Sequence, residues 1–359
     1  MTIDKGLINQ TLFRIAENAI RCYGSNPGAY PPGINGPHND KVTNVRVVSH
    51  YFLIFYHLYF ISGEKKYKSW CMDAIDHILR YVDKTNHFFH NRETRGKDPN
   101  NGLIGQVWCL EPFIVGRELI SNKQLEKVKK VIRNHDFSDE LSLFKYPVPG
   151  SNKPSQRLNY TLNQQIWFAM IVSKFNDVFS SNIFSSELVS FNNNILNYIN
   201  INKQGLLNNL IQIRGFRNYN LSIKNDLKKI FKSVSRLISD QQKFLRSSYS
   251  LFSLVGIVNS NSLKEKFDLK FGIDSVLKKH TNNKLLFSDK NVYSWGYNVS
   301  GIELARLENA INGNLSMETN RLLLKHLEPT PSFRIPDDVT YKARLYELIY
   351  LVANYQNIY

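Results

Sequence analysis

The chain has 359 residues, of which 42% are hydrophobic and 13% aromatic, and a formal net charge of +16. That is ample apolar surface for a large core, and no run of about 18 uncharged apolar residues predicts a membrane-spanning helix. Three cysteines, Cys22, Cys71 and Cys109, with no Cys-x-x-Cys pair, argue against a disulfide framework and a structural zinc site.

The opening residues lack an apolar signal segment, so a cytoplasmic location is expected. The basic balance attracts anions, whether acidic saccharides, phosphorylated groups or anionic lipid. A basic surface with no specific partner is the alternative. Nucleic acid is not expected: the Lys and Arg residues are dispersed, and zinc-finger and RNA-binding aromatic motifs are missing. No P-loop, G-x-G-x-x-G or metal-ligand spacing occurs, so neither a cofactor nor a metal is expected.

In chain order, an opening helix runs from about Leu7 to Tyr23. Asn44 to Ile61 is then apolar on nearly every side and stops at Ser62-Gly63. Glu64 to Val82 is amphipathic, with Tyr67, Trp70, Ala74, Ile78 and Val82 on one face. The alternation repeats. Leu103 to Ile120 is apolar and Lys123 to Asn134 amphipathic. Leu158 to Phe175 is apolar and Ser185 to Ile199 more polar. Ser247 to Val258 is apolar and Ser262 to Lys279 amphipathic. Val299 to Ile311 is apolar, Leu315 to Leu327 amphipathic, and Tyr341 to Tyr355 closes the chain.

A helix that is apolar all round needs cover on both sides, whereas an amphipathic one covers and faces water. The pattern therefore predicts an all-α fold over residues 1–359, with about twelve helices in six pairs, an inner apolar ring and an outer amphipathic ring. A helical-repeat solenoid demands a more regular period than this spacing shows. Residues 212–242 hold a basic amphipathic segment, read either as an outer helix or as an arm on anionic membrane.

Five strings resemble the AglQ-like proteins of archaeal glycan assembly and their bacterial relatives in surface-polysaccharide clusters. They are NGPHND (Asn35 to Asp40), NGLIGQVW with Glu111 (from Asn101), NYTLNQQIWFA (from Asn159), YNVSGIELA (from Tyr297) and TYKARLYEL (from Thr340). Gln164 stands where the family pattern has a histidine. The resemblance implies an (α/α)6 toroid similar to unsaturated-glucuronyl hydrolases and hexuronate epimerases. It further implies processing of a uronic acid within an O-antigen-like surface glycan. An acidic saccharide, lipid- or nucleotide-linked, is the expected partner.

Saccharide binding needs amides and carboxylates for hydroxyls, and aromatic faces for C–H surfaces. The loop-to-helix junctions supply Asn35, His38, Asp40, Asn44, Asn101, Gln106, Trp108, Asn163, Gln164 and Trp295. The same Asn and Asp residues could instead cap helices, and Trp108 could be core. His50, on an all-apolar helix, is either a satisfied core histidine or a catalytic group. Glu303 has Arg306 at i+3, and Glu347 has Arg344 at i−3, so each carboxylate is either half of a structural ion pair or a tuned site group.

Epimerisation next to a carboxylate needs a base, an acid on the opposite face and a cation or amide for the enolate. The expected pair is His50 or Glu111 against Tyr297, with Arg344 and Asn101 on the carboxylate. Hydrolase or lyase chemistry, and a non-catalytic glycan scaffold, stand as alternatives.

Overall fold

The computed structural model describes residues 2–35, 40–82, 86–92, 100–146, 158–211, 240–282, 300–328 and 338–352. Helices dominate them, and the fold is all-α. Strand among the described residues is confined to two short antiparallel pairs, β1 (Ile34–Asn35) with β2 (Asp40–Lys41) and β3 (Phe137–Ser138) with β4 (Leu143–Phe144).

The helices are α1 (Lys5–Tyr23), α2 (Val45–Ser62), α3 (Lys65–Arg80), α4 (Gly102–Val115), α5 (Asn122–Arg133), α6 (Leu162–Phe179) and α7 (Ser185–Asn194). There follow α8 (Asp240–Val258), α9 (Asn261–Phe271), α10 (Ile273–Thr281), α11 (Ser300–Asn312), α12 (Met317–Leu327), α13 (Asp338–Arg344) and α14 (Ile349–Val352). A 3₁₀ turn, Leu345–Leu348, joins the last two.

The two kinds of helix separate by burial as their sequences demand. Every residue of α2 from Val45 to Leu58 is buried, and so is every residue of α4. In α3 the buried positions Tyr67, Trp70, Cys71, Ala74, Ile75 and Ile78 form one stripe. Phe55 of α2 stacks on Trp70 at 4.2 Å between ring centroids. Each such enclosed side chain contributes roughly 1.5–3 kcal/mol of burial.

The ends are set locally. Asp4 accepts a hydrogen bond from the Leu7 N–H at the start of α1, and Gly63 (φ 69°) ends α2 in the left-handed region. Ser121 and Gln124 form a reciprocal capping box at the start of α5.

Packing follows one order. α2 contacts α4, α4 contacts α6, α6 contacts α8, and α8 contacts α11. α11 contacts α14, and the α13–α14 segment returns to α2. The amphipathic helices lie against these: α3 on α2, α5 on α4, α7 on α6, α9 on α8, α12 on α11, and α1 on α2 and the C-terminal segment.

Three expectations need correction. The apolar helix expected to reach Ile120 stops at Val115, where the Gly116 N–H bonds the Pro112 carbonyl and a 3₁₀ turn takes over. Pro112 sits inside this helix and cannot donate to the Trp108 carbonyl. The helix expected over Ser262 to Lys279 is broken at Gly272, whose φ of 69° an L side chain rarely adopts. The apolar helix expected from Ser247 begins at Asp240, taking in the last residues of the basic segment; residues 212–239 lie outside the described residues.

Candidate functional site

The helix starts are held by a repeated side-chain brace. Gln106 Nε2 donates to the Phe88 carbonyl and its Oε1 accepts from the Phe88 N–H, both at 2.9 Å. Gln165 grips Phe144 the same way, at 2.6 and 2.9 Å. Two residues after each glutamine stands a buried tryptophan, Trp108 or Trp167. The chain thus uses Gln-x-Trp twice, with the amide anchoring the preceding segment to the helix.

Gly105 completes the arrangement on α4. A Cβ there would lie 2.1 Å from the Asn100 carbonyl and 2.9 Å from His90 Nε2. Only glycine lets both approach, and His90 Nε2 donates to the Gly105 carbonyl at 3.0 Å.

Beside that brace the apolar helices turn polar. The Arg46 guanidinium lies 4.1 Å over the Trp108 ring. His50, one turn further along α2, meets Trp108 edge-on at 5.7 Å and stacks on Tyr346 at 4.6 Å. His90 meets the other side of Trp108 at 6.4 Å. Neither ring nitrogen of His50, nor Trp108 Nε1, has a hydrogen-bond partner among the described residues. Asn163 Oδ1 and Glu303 Oε2 are in the same condition. Each buried, unpartnered polar atom costs about 1–3 kcal/mol, and such atoms concentrate where a ligand or water completes them.

Electrostatics keep these histidines neutral. Burial, then the charges of Arg46, Arg344 and His90, hold His50 well below the ordinary imidazole value. Burial likewise holds His90 at about 4, against the bond to Gly105 and with help from Arg46 and Arg92.

The acidic members lie on α11 and the C-terminal segment. Arg344 Nη2 stands 2.5 Å from Glu347 Oε1 and 3.4 Å from Glu303 Oε1. Arg306 Nη1 stands 3.4 Å from Glu347 Oε2. The local pairing of Arg344 with Glu347 is the one the spacing predicts. Arg306 pairs across to the neighbouring segment, and Arg344 reaches back to Glu303. Burial, reinforced by Glu347 and opposed by the arginines, pushes the Glu303 carboxyl up to about 8. At neutral pH it is mainly protonated.

Glu111 sits deeper. By helical rise it is about 15 Å along α4 from the N-cap Asn101. It accepts a hydrogen bond from the Tyr350 hydroxyl. Burial raises its carboxyl, against that bond and the charges of Arg306 and Lys174.

The remaining expected residues divide. Asn101, at the α4 N-cap with φ 57°, is buried at the same end as Arg46. Asn44 is consumed structurally: Nδ2 donates to the Pro27 and Tyr30 carbonyls, and Oδ1 takes His77 Nε2 and the Tyr81 hydroxyl. Gln164 is also a strut, accepting from the Leu103 N–H and Asn159 Nδ2. Gln106 is the brace already described. Asn35 and Asp40 pair through their backbones as β1 and β2, and their side chains lie outside the described residues. His38, Trp295 and Tyr297 lie outside them altogether.

Arg46, His90 and Tyr346 escaped the sequence reading. The available signal was Arg46 itself, a lone charge in the apolar run NVRVVSHYF, where it must be either paired or functional.

No family model matches the chain, and no solved structure matches it. Over 145 residues it is 32% identical to archaeal glycosylation protein Q of Haloferax volcanii, a match covering 40% of this chain. The matched stretch spans 38% of that protein's length. The likeness bears out the resemblance to the AglQ-like family that the chain's motifs carry.

Proposed function

We propose that this chain acts in glycan biosynthesis as an enzyme that modifies an acidic sugar, by proton transfer at the carbon next to a uronate carboxylate. The toroid belongs to the same proposal: six apolar segments packed in succession would enclose a funnel with Arg46, His50 and Trp108 near its motif-bearing end. The name of the matched relative supports the pathway.

The observation that carries the chemistry is the company His50 keeps. It is a buried imidazole with both nitrogens unpartnered among the described residues, packed between Trp108, whose indole face carries the Arg46 cation, and Tyr346. A uronate carboxylate placed against Arg46 would neutralise the charge that depresses His50 and raise its basicity as substrate binds. His50 would then take the C–H proton. The electron pair would spread into the carboxylate as an enolate held by Arg46. Glu303 would return a proton from the other face, leaving the epimer, a protonated His50 and an ionised Glu303 to be reset by solvent. Trp108 would hold the Arg46 guanidinium in place. Arg344, already bound to two carboxylates, positions Glu303 rather than anchoring substrate.

Hydrolase and lyase readings use the same acid. The products separate them. Incubation with uronate-containing saccharides, followed by proton NMR, should give a new epimer with intact linkage. An unsaturated uronate, or a new reducing end, would replace the epimerase reading with a lyase or hydrolase one.

A further inference from the structure

A second polar space opens at the other end of the apolar helices. It has a volume of about 860 Å³ and lies among the C-terminal parts of α6, α8 and α11, with the starts of α1 and α9. Lys174, Arg306 and Tyr350 line its inner part; Lys5, Lys264 and Asp177 line its outer part. Four basic side chains and one acidic side chain, Asp177, thus line it.

Each feature has a role in recognising an anion. Arg306 is buried, stacked 4.0 Å over the Tyr350 ring, and held to Glu347 by a pair as long as 3.4 Å. α9, an eleven-residue helix, begins here: Ser260, its N-cap, makes no side-chain cap bond, and Asn261 and Ser262 line the same space. Its first N–H groups and the positive end of its dipole therefore add to the lysines.

We propose that this cavity is a binding site for a phosphoryl group, separate from the Arg46–His50 cluster. Its two inner cations and the α9 terminus match a tetrahedral dianion with several acceptor oxygens. The cavity is large enough for a phosphorylated sugar as well as free phosphate.

The charge state of Lys174 supports the assignment and supplies a readout. Burial, opposed by Glu111 and Asp177 and reinforced by Arg306, brings the Lys174 ammonium down to about 7. Tyr350, hydrogen-bonded to Glu111, is the other titratable group of the inner wall. A bound dianion restores the proton to Lys174, so binding near neutral pH takes up protons.

Calorimetric titration of the full chain with inorganic phosphate and with glucose 1-phosphate, in two buffers of different ionisation heat, tests this. Saturable binding with proton uptake at pH 7.5 is expected. Lys174→Gln should weaken it at least about tenfold and abolish the uptake. Lys264→Gln, on the outer part, should weaken it severalfold and guards against a misfolded Lys174 variant. Tighter binding of glucose 1-phosphate assigns the site to a sugar-borne phosphate; equal binding assigns it to free phosphate. No saturable binding of either probe, or binding that neither variant weakens, overturns the proposal.

Discussion

Arg344 and Glu347 form a 2.5 Å ion pair one turn apart, and the same guanidinium nitrogen reaches Glu303, 41 residues away, at 3.4 Å. One cation thus ties the C-terminal segment to α11. Both carboxyl groups are buried, so removing the arginine leaves Glu347 with Arg306 alone and takes the cation from Glu303.

Arg344→Met should therefore cost about 3–5 kcal/mol of stability, the range for breaking a buried pair from one side. Arg344→Lys should lower the denaturation midpoint less, since an ammonium cannot copy a guanidinium fork. Denaturant titration by circular dichroism checks both. A Lys variant with wild-type stability but no activity would return Arg344 to the substrate-anchor role expected from its spacing.

Gly105→Ala should destabilise the chain by about 1–3 kcal/mol, because its Cβ falls on the Asn100 carbonyl and backbone must shift. His90 should lose its bond to the Gly105 carbonyl at the same time. An unchanged unfolding midpoint would contradict the close approach.

Acid should unfold the protein earlier than its carboxylates alone would. Burial lowers His57, His77, His90 and His280 to about 4 and His135 to about 3. A depressed value means the unfolded chain binds the proton first. The stability is present above the unfolded value near 6.5 and is lost as pH falls toward 4. Each group contributes up to about 1.4 kcal/mol per pH unit in that window. Glu303 runs the opposite way: raised to about 8, it favours the fold at low pH and loses that contribution as pH rises from 4.5 through 8. Unfolding midpoints measured from pH 8 to pH 4 should fall steeply below pH 6.5. A flat profile down to pH 5 would contradict it.

Much of this architecture was legible as hydropathy. The runs at Val45, Gly102, Leu162 and Ser300 announce buried helices because apolar residues occupy nearly every side of them. What hydropathy does not carry is where a run stops when the breaker is backbone geometry, as at Gly116 and Gly272. Nor does it carry pairing across the packing. Arg306 and Glu303 look like partners at i+3, yet Arg306 meets Glu347 on the neighbouring segment. Amides were the hardest to read: Asn44, Gln106 and Gln164 have a ligand's chemistry, but backbone groups and neighbouring side chains take up their hydrogen bonds. Arg46 and His90 were missed because both meet Trp108 across the packing, which leaves no trace in local spacing.

Arg46→Gln, compared with wild type at equal folded fraction, should weaken binding of a uronate-containing saccharide at least about tenfold relative to its neutral counterpart. Equal loss for the charged and neutral saccharides would mean that Arg46 acts through Trp108 alone.

Solvent-deuterium incorporation tests the central claim most directly. Purified protein is incubated in D₂O with uronate-containing saccharides, and the C–H next to the carboxylate is followed by NMR. The account predicts loss of that proton signal with wild-type protein and no loss with His50→Gln at equal folded fraction. Epimer formed without deuterium at that carbon, or exchange undiminished in His50→Gln, would contradict it.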